Sequence, residues 1–202
     1  IAVSDGALYA AYIDNNDGFT LKVVGSTDGG RTFAVSTVDR EVGKQVDPDI
    51  SVSPRSRDEV YIAAVTERGL RVYRTMNGTS SEPVWNRIYE TSSPRFNFRS
   101  ANHYATATVT ESGTVVVAYL DENERYGYIV SRDGGVGWSG LRSIGASVAG
   151  SRHLRPDIES RGETVWFAYY DDRGDVRLYE AVLEPTAISP GKPLSGDVSV
   201  SE

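Results

Sequence analysis

The sequence predicts an all-β protein: a β-propeller with four recognisable blades, each of four antiparallel strands. Runs of five to eight residues rich in Val, Ile, Tyr and Thr alternate along the 202 residues with Gly, Asp, Asn and Ser, which favours short strands joined by tight turns. No stretch has a convincing helical period. One strand segment also recurs four times at spacings of 50 to 55 residues, which is the length of a four-stranded propeller blade.

The recurring segment is the predicted second strand of each blade. Its fourth position is Ala in every copy, and a small side chain there suits close contact between sheets near the propeller axis. The copies are Leu8–Asp14, Val60–Thr66, Val115–Asp121 and Val165–Asp171, with Ala11, Ala63, Ala118 and Ala168 at the shared position.

The other strands follow from their place around this segment. A short strand precedes each copy, a third strand follows it, and a fourth strand follows in the first three copies, at Ala34–Val38, Val84–Tyr89 and Leu141–Ile144. The predicted blades span about 1–40, 47–90, 104–146 and 155–202, within one domain, 1–202. In the last copy, Pro and Gly disfavour a strand over Pro185–Gly196, so we expect either a closing strand near Asp197–Val200 or a partial propeller.

A second motif lies between the third and fourth strands. Ser26–Phe33 and Ser131–Trp138 both read Ser-x-Asp-x-Gly-x-x-aromatic. Its physical interpretation is a stapled hairpin, in which the Asp accepts backbone N–H groups, Gly takes a positive φ, Ser braces the carboxylate and the aromatic is buried beneath the turn. The second copy has a weaker version, Thr75–Gly78 with Trp85 further on, and the fourth copy has none. The motif residues are Ser26, Asp28, Gly30, Phe33, Ser131, Asp133, Gly135 and Trp138.

On these two motifs the chain resembles the Asp-box, or BNR-repeat, β-propellers of the sialidase superfamily. The resemblance covers all four blades and implies that Asp28 and Asp133 are structural, on the rim opposite the substrate face. It implies a secreted or cell-surface protein that acts on or binds glycans. Members of this kind hold the substrate carboxylate with three Arg and use a Tyr nucleophile, a Glu and an Asp.

The chain departs from the sialidase pattern in three respects. It lacks the Arg-Ile-Pro signature, it has four recognisable blades where sialidases have six, and no Tyr–Glu pair follows from spacing. A fragment of a larger, six-bladed propeller would account for the blade count. The candidates for a nucleophile are Tyr104, Tyr119, Tyr169 and Tyr170. Tyrosines in such strands more often serve packing, so no catalytic residue is assigned.

Strand order predicts that the face opposite the Asp-boxes carries the functional groups. That face is formed by the loops that lead into each first strand and by the turns after each second strand. Its ligand-binding candidates are Arg95, Arg99, His103, Tyr104, Arg152, Arg155, Asp121 and Asp171. Guanidinium groups suit a carboxylate ligand, although rim ion pairs with Asp47, Asp49 and Asp157 are the more common explanation for such arginines. Asp14, Asp121 and Asp171 share one repeat position, which is compatible with a Ca²⁺ site, with turn capping or with pairing to arginines.

Composition excludes several classes of function. The net charge is −7 with no Lys/Arg block, which argues against nucleic acid as a partner. No apolar run reaches about 18 residues, so membrane insertion is not expected, and zero Cys excludes disulfides and thiolate chemistry. No cofactor motif occurs. The remaining hypotheses are a sialidase-like propeller that binds or hydrolyses glycans, and a non-catalytic protein-interaction or scaffold propeller.

Overall fold

The computed structural model describes residues 1–43, 47–92, 104–121, 125–147, 156–171, 173–183 and 192–193. Its strands form four antiparallel sheets of four strands, each sheet in sequential order, and these are the four predicted blades. Blade 1 contains β1 (Ala2–Ser4), β2 (Ala7–Asp14), β3 (Thr20–Ser26) and β4 (Ala34–Asp39). Blade 2 contains β5 (Asp49–Val52), β6 (Val60–Thr66), β7 (Gly69–Thr75) and β8 (Asn86–Glu90).

Blades 3 and 4 repeat this arrangement. Blade 3 contains β9 (Ala105–Val109), β10 (Val115–Leu120), β11 (Arg125–Ser131) and β12 (Arg142–Ser147). Blade 4 contains β13 (Asp157–Arg161), β14 (Thr164–Tyr170), β15 (Val176–Val182) and β16 (Lys192–Pro193). A single-turn 3₁₀ helix, Asn15–Asp17, joins β2 to β3.

The fourth blade differs from the prediction at its last strand. β16 lies inside Pro185–Gly196, where no strand was expected, and it pairs with Tyr179 and Glu180 of β15. Pro193 is tolerated because β16 is an edge strand, where a missing N–H need not break a ladder. The predicted strand near Asp197–Val200 lies outside the described residues.

Three apolar cores hold the blades together, one between each pair of neighbours. Alternate residues of a strand face opposite sides, so the middle blades require apolar side chains at consecutive positions. In β6, Val60 and Ile62 face blade 1, whereas Tyr61 and Ala63 face blade 3. This explains why β6 is buried along its whole length.

The recurring Ala lies on the face that each blade presents to the next one. Ala63 and Ala118 are fully buried there, and Ala11 is half-buried. In blade 4 the same face carries Trp166, Ala168 and Tyr170, and Tyr170 is exposed. The opposite, outward face of blade 1 exposes Val3, Tyr12 and Val35. Blades 1 and 4 therefore each leave one face uncovered within the described part of the chain; that of blade 4 combines the aromatic Trp166 and Tyr170 with the charged Asp157 and Glu159.

Candidate functional site

The first Asp-box forms the predicted staple. The Ser26 hydroxyl donates to Asp28 Oδ1 at 2.8 Å, and the same oxygen accepts the backbone N–H groups of Arg31 and Thr32, each at 2.9 Å. The Thr32 backbone and hydroxyl are the main cause of the drop in the pKa of Asp28 to about 2, with Ser26 contributing. Gly30 has a φ of +87°, a backbone conformation that is strained for any residue other than glycine. The Asp28 carboxylate is thus committed to its own turn.

The second Asp-box, in blade 3, repeats this geometry. Ser131 donates to Asp133 Oδ1 at 2.9 Å, and the Gly137 N–H donates to the same oxygen at 2.9 Å. The Gly137 N–H, with Ser131, holds the pKa of Asp133 below its usual value. Both Asp-box carboxylates are therefore structural acceptors.

The aromatic residues of the two boxes differ, and the expectation that both are buried is wrong for Phe33. Trp138 is half-buried against the fourth strand of blade 2: its ring lies 5.1 Å from that of Tyr89, and Nε1 donates to the Ile88 carbonyl oxygen at 3.3 Å. Phe33 is 59% exposed. The reason is position, because within the described residues blade 1 has no preceding blade to supply such a surface.

Blade 2 contains a third staple that sequence reasoning classed only as a weak match. Thr75 Oγ1 donates to Asn77 Oδ1 at 2.8 Å, and the Val84 N–H donates to the same oxygen at 2.9 Å. Asn77 therefore takes the place of the box Asp, and Trp85 takes the place of the aromatic. The motif was obscured because three additional residues separate Asn77 from Trp85, compared with Asp28 and Phe33.

The three repeated carboxylates on the opposite face cap turns and form ion pairs. Asp14 accepts the Asn16 N–H at 3.0 Å and pairs with Lys22 at 2.8 Å, and Lys22 is the main cause of its lowered pKa. Asp121 accepts the Arg125 N–H at 2.9 Å and pairs with its guanidinium at 3.0 Å.

Asp171 repeats the arrangement. It accepts the N–H groups of Arg173 and Asp175 and pairs with Arg177 at 2.8 Å. Partial burial acts to raise the pKa of Asp171, but the bonds from Arg177 and the turn outweigh it and hold the pKa below its usual value. Of the three alternatives for this repeat position, turn capping and ion pairing are therefore observed. Among the described residues no group of three or more acidic or His side chains is arranged to hold a metal ion.

At the second copy, which has Thr66 in place of the carboxylate, a buried arginine connects two blades. Arg71 is 1% exposed and pairs with Asp39 of blade 1 at 3.0 Å and with Glu90 at 2.8 Å. The Tyr73 hydroxyl donates to the same Asp39 carboxylate at 2.6 Å. Sequence reasoning missed this cluster, and only the cation inside an apolar strand, Leu70-Arg71-Val72, hinted at it.

Most of the candidate ligand-binding residues fall outside the described part of the chain, namely Arg95, Arg99, His103, Arg152 and Arg155. Tyr104 is half-buried just before β9. Tyr119 and Tyr169 belong to the cores between blades, where burial raises the pKa of each hydroxyl. Their packing supports a structural role, while Tyr170 lies on the uncovered face of blade 4.

The four inner strands surround an axial cavity of about 470 Å³. Residues of β1, β5, β9 and β13 line it, and its surface combines hydroxyl groups with carboxylates. Hydroxyls also join neighbouring blades: Thr106 donates to Asp49 at 2.8 Å, and Thr108 and Ser160 lie 2.9 Å apart. The charged lining residues are Asp49, Glu111, Asp157, Glu159 and Arg161.

The carboxylates of this cavity are not equivalent. Asp49 accepts both Thr106 Oγ1 and the Ala107 N–H, so it serves as a bridge between blades 2 and 3. Asp157 and Glu159 are exposed and lie two residues apart on β13, which places both side chains on one side of the strand. This pair can accept hydrogen bonds from the hydroxyls of a ligand.

No protein-family model matches the chain, and no curated protein matches it in sequence. No helix in the described part of the chain is long and apolar enough to cross a membrane.

Solved structures do resemble the fold. An exo-β-1,3-galactanase of Phanerochaete chrysosporium, solved with β-1,3-galactotriose, matches 96% of this chain at 9% identity with a TM-score of 0.54. A sialidase of Streptococcus pneumoniae matches 84% at 14% identity with a TM-score of 0.58. The Aleuria aurantia lectin, solved with Fucα1-6GlcNAc, matches 96% at 9% identity with a TM-score of 0.55.

The chain spans 49%, 27% and 60% of those three proteins, respectively. At these identities the likeness concerns the fold alone. The chain therefore has the blade architecture of propellers that include glycoside hydrolases and a lectin.

Proposed function

We propose that this chain is a carbohydrate-recognising propeller module whose ligand approaches the axis on the face opposite the Asp-boxes. The observation that carries the proposal is the axial cavity, where the exposed Asp157 and Glu159 stand among the hydroxyls of the inner strands. Carboxylates and hydroxyls are suitable partners for the many hydroxyls of a sugar. The fold shared with a galactanase, sialidases and a lectin supports the same class of ligand.

The more specific form of the proposal is sialidase-type binding or hydrolysis. The described lining of the axial cavity has four carboxylates and one cation, Arg161, so it disfavours an anionic sugar by itself. Sialic acid recognition would therefore depend on Arg95, Arg99, Arg152 and Arg155, as the resemblance implies. A secreted or cell-surface location is part of this proposal.

A set of oligosaccharides tests both forms. The purified chain is titrated with galacto-, fucosyl- and sialyl-oligosaccharides by calorimetry, and turnover of a fluorogenic sialoside is measured in parallel. We expect Asp157→Asn and Glu159→Gln to weaken binding at the axis, with Glu82→Gln, at an exposed position on a blade 2 loop, as the matched control. Loss of sialoside binding on Arg99→Ala and Arg155→Ala supports the sialidase form, and unchanged binding refutes it. If no oligosaccharide binds the chain, the carbohydrate proposal fails.

A scaffold role is the second candidate, and the apolar side chains exposed on the uncovered faces of blades 1 and 4 favour it. Val3 is 64% exposed, Tyr12 is 37% exposed, and Val182 on the far blade is 39% exposed. Contiguous exposed apolar surface commonly marks a protein interface. Sedimentation of the wild type against Tyr12→Ser tests this candidate, because a change in assembly is expected only if that face docks a protein surface.

A further inference from the structure

A second cavity lies between blades 1 and 2 on the Asp-box side, apart from the axial cavity. Its volume is about 230 Å³, and its walls are the first box hairpin, β4, the loop Gly78–Pro83 and the ring of Trp85. Pockets for drug-sized ligands measure roughly 300–1,000 Å³, so this interblade cavity suits one small ring.

The cavity exists because blade 1 has small residues where blade 2 has large ones. The repeat register aligns Tyr9 with Tyr61, and their cross-strand partners are Gly25 and Arg74, respectively. Along β3 and β7, Val23 and Val72 likewise face Ser36 and Tyr89. Between blades 2 and 3, Arg74 and Tyr89 fill the space and Tyr89 packs on Trp138. Gly25 and Ser36 leave the corresponding space open beside Trp85.

The lining is entirely uncharged. A quarter of the chain is charged, at 24%, yet none of the sixteen lining residues is Asp, Glu, Lys, Arg or His. An anionic ligand would lose its hydration here without gaining a cationic partner, which is unfavourable. The chemistry of the interblade cavity therefore selects a neutral ligand.

Hydroxyls and aromatic rings surround that space. Eight lining residues carry a hydroxyl group. Thr27 on the box hairpin and Ser81 on the blade 2 loop stand on opposite walls, and the described part of the chain provides no acceptor for either hydroxyl. The half-buried Trp85 and the buried Tyr9 supply aromatic rings. A sugar ring combines an apolar C–H face with peripheral hydroxyls, and aromatic rings with a few polar groups match it.

We propose that the interblade cavity is a binding site for one neutral sugar residue, distinct from the axial cavity. The aromatic rings contact the C–H face of the sugar, and the hydroxyls of Thr27, Ser36 and Ser81 bond to its hydroxyls. The staple of blade 2 holds Trp85 in place. The indole N–H of Trp85 donates a hydrogen bond to Ser36 Oγ at 3.1 Å, which fixes the orientation of the ring. The site does not require the axial proposal to be correct.

The chain itself suggests the decisive variant. Ser36→Tyr copies Tyr89 of blade 2 and fills the interblade cavity in the manner that blade 2 uses. The full chain is titrated with the methyl glycosides of galactose, glucose, mannose, fucose and N-acetylglucosamine, and with N-acetylneuraminic acid, by tryptophan fluorescence and saturation-transfer NMR. We expect at least one neutral sugar to bind, and Ser36→Tyr and the double variant Thr27→Val/Ser81→Ala each to weaken its binding about tenfold or more.

The controls separate this site from the axial one. Val136→Ser changes an exposed apolar residue on the blade 3 hairpin, away from the cavity, and should leave sugar binding unchanged. Glu159→Gln should also leave it unchanged. The proposal is overturned if no neutral sugar binds, if only N-acetylneuraminic acid binds, or if Glu159→Gln abolishes binding that Ser36→Tyr retains. Should Ser36→Tyr fail to fold by circular dichroism, Thr27→Val/Ser81→Ala decides the outcome, because both of these residues are exposed and support no core.

Discussion

Replacing the buried Arg71 with Met should be among the most destabilising substitutions of a charged residue in this chain. Arg71 is 1% exposed and holds three oxygen acceptors: Asp39 Oδ2 at 3.0 Å, Glu90 Oε1 at 2.8 Å and the Glu41 carbonyl oxygen at 3.0 Å. Two of these acceptors, in Asp39 and Glu41, belong to blade 1 and the segment after it. The side chain therefore fastens blade 2 to blade 1.

The magnitude follows from what the substitution leaves behind. Removing one partner of a buried ion pair costs about 3–5 kcal/mol, because the remaining charge is unpaired. Asp39 is 14% exposed but Glu90 is 39% exposed, so Glu90 regains water and the cost should lie near the lower end, about 3 kcal/mol. For a chain of this length, that corresponds to a fall in Tm of about 6–12 °C.

Urea denaturation followed by circular dichroism measures this cost. Arg68→Met is the matched control, because Arg68 pairs with Glu41 at 2.7 Å while both side chains are more than 60% exposed. Such surface pairs contribute about 0–1 kcal/mol. If the free energies of unfolding of Arg71→Met and Arg68→Met differ by less than about 1 kcal/mol, the interblade role assigned to Arg71 is refuted.

Three further predictions concern the staples and turns. Because the pKa of Asp28 is lowered to about 2, its stabilisation should be full above the unfolded value of about 4 and disappear as the pH falls towards 2; Asp28→Asn should therefore reduce the pH dependence of the urea midpoint in that interval, and an unchanged dependence would contradict the staple. Gly69→Ala should unfold the chain at lower urea than Gly174→Ala, because a Cβ at Gly69 would lie 1.7 Å from a backbone oxygen whereas one at Gly174 meets nothing; equal midpoints would be inconsistent with this contact. Trp138→Ala should lower Tm more than Phe33→Ala, since only Trp138 packs on the preceding blade; calorimetry that finds the reverse order would show that the two aromatics were assigned wrongly.

The local parts of the fold were predictable from the sequence. The four copies around Ala11, Ala63, Ala118 and Ala168 give the correct second strands, and Ser26-x-Asp28 and Ser131-x-Asp133 give the correct staples. Each of these features depends on residues within about eight positions of one another. Alternation along a strand and hydrogen bonds inside one turn are encoded at that range.

The hydrogen-bond and ion-pair partners of individual polar side chains were harder to predict. Asp14, Asp121 and Asp171 share a repeat position, and the sequence left a metal site, turn caps and ion pairs open, with the metal site the least favoured. The partners Lys22, Arg125 and Arg177 lie at different separations from them, of 8, 4 and 6 residues. No fixed spacing in the sequence therefore predicts these ion pairs, although all three cations lie on the third strand of the same blade.

The strands of each blade, their repeat and the stapled turns are encoded locally, because short-range sterics and hydrogen bonds are sufficient for these features. The contacts between neighbouring blades, in contrast, follow only from the packing of whole sheets. Three outcomes depend on residues about 30 to 60 positions apart: the covering of Trp138 but not of Phe33, the pairing of Arg71 with Asp39, and the cavity that Gly25 and Ser36 leave beside Trp85. Their contacts depend on how one sheet packs against the next, and side-chain volume at such an interface has no counterpart in the local pattern of either strand.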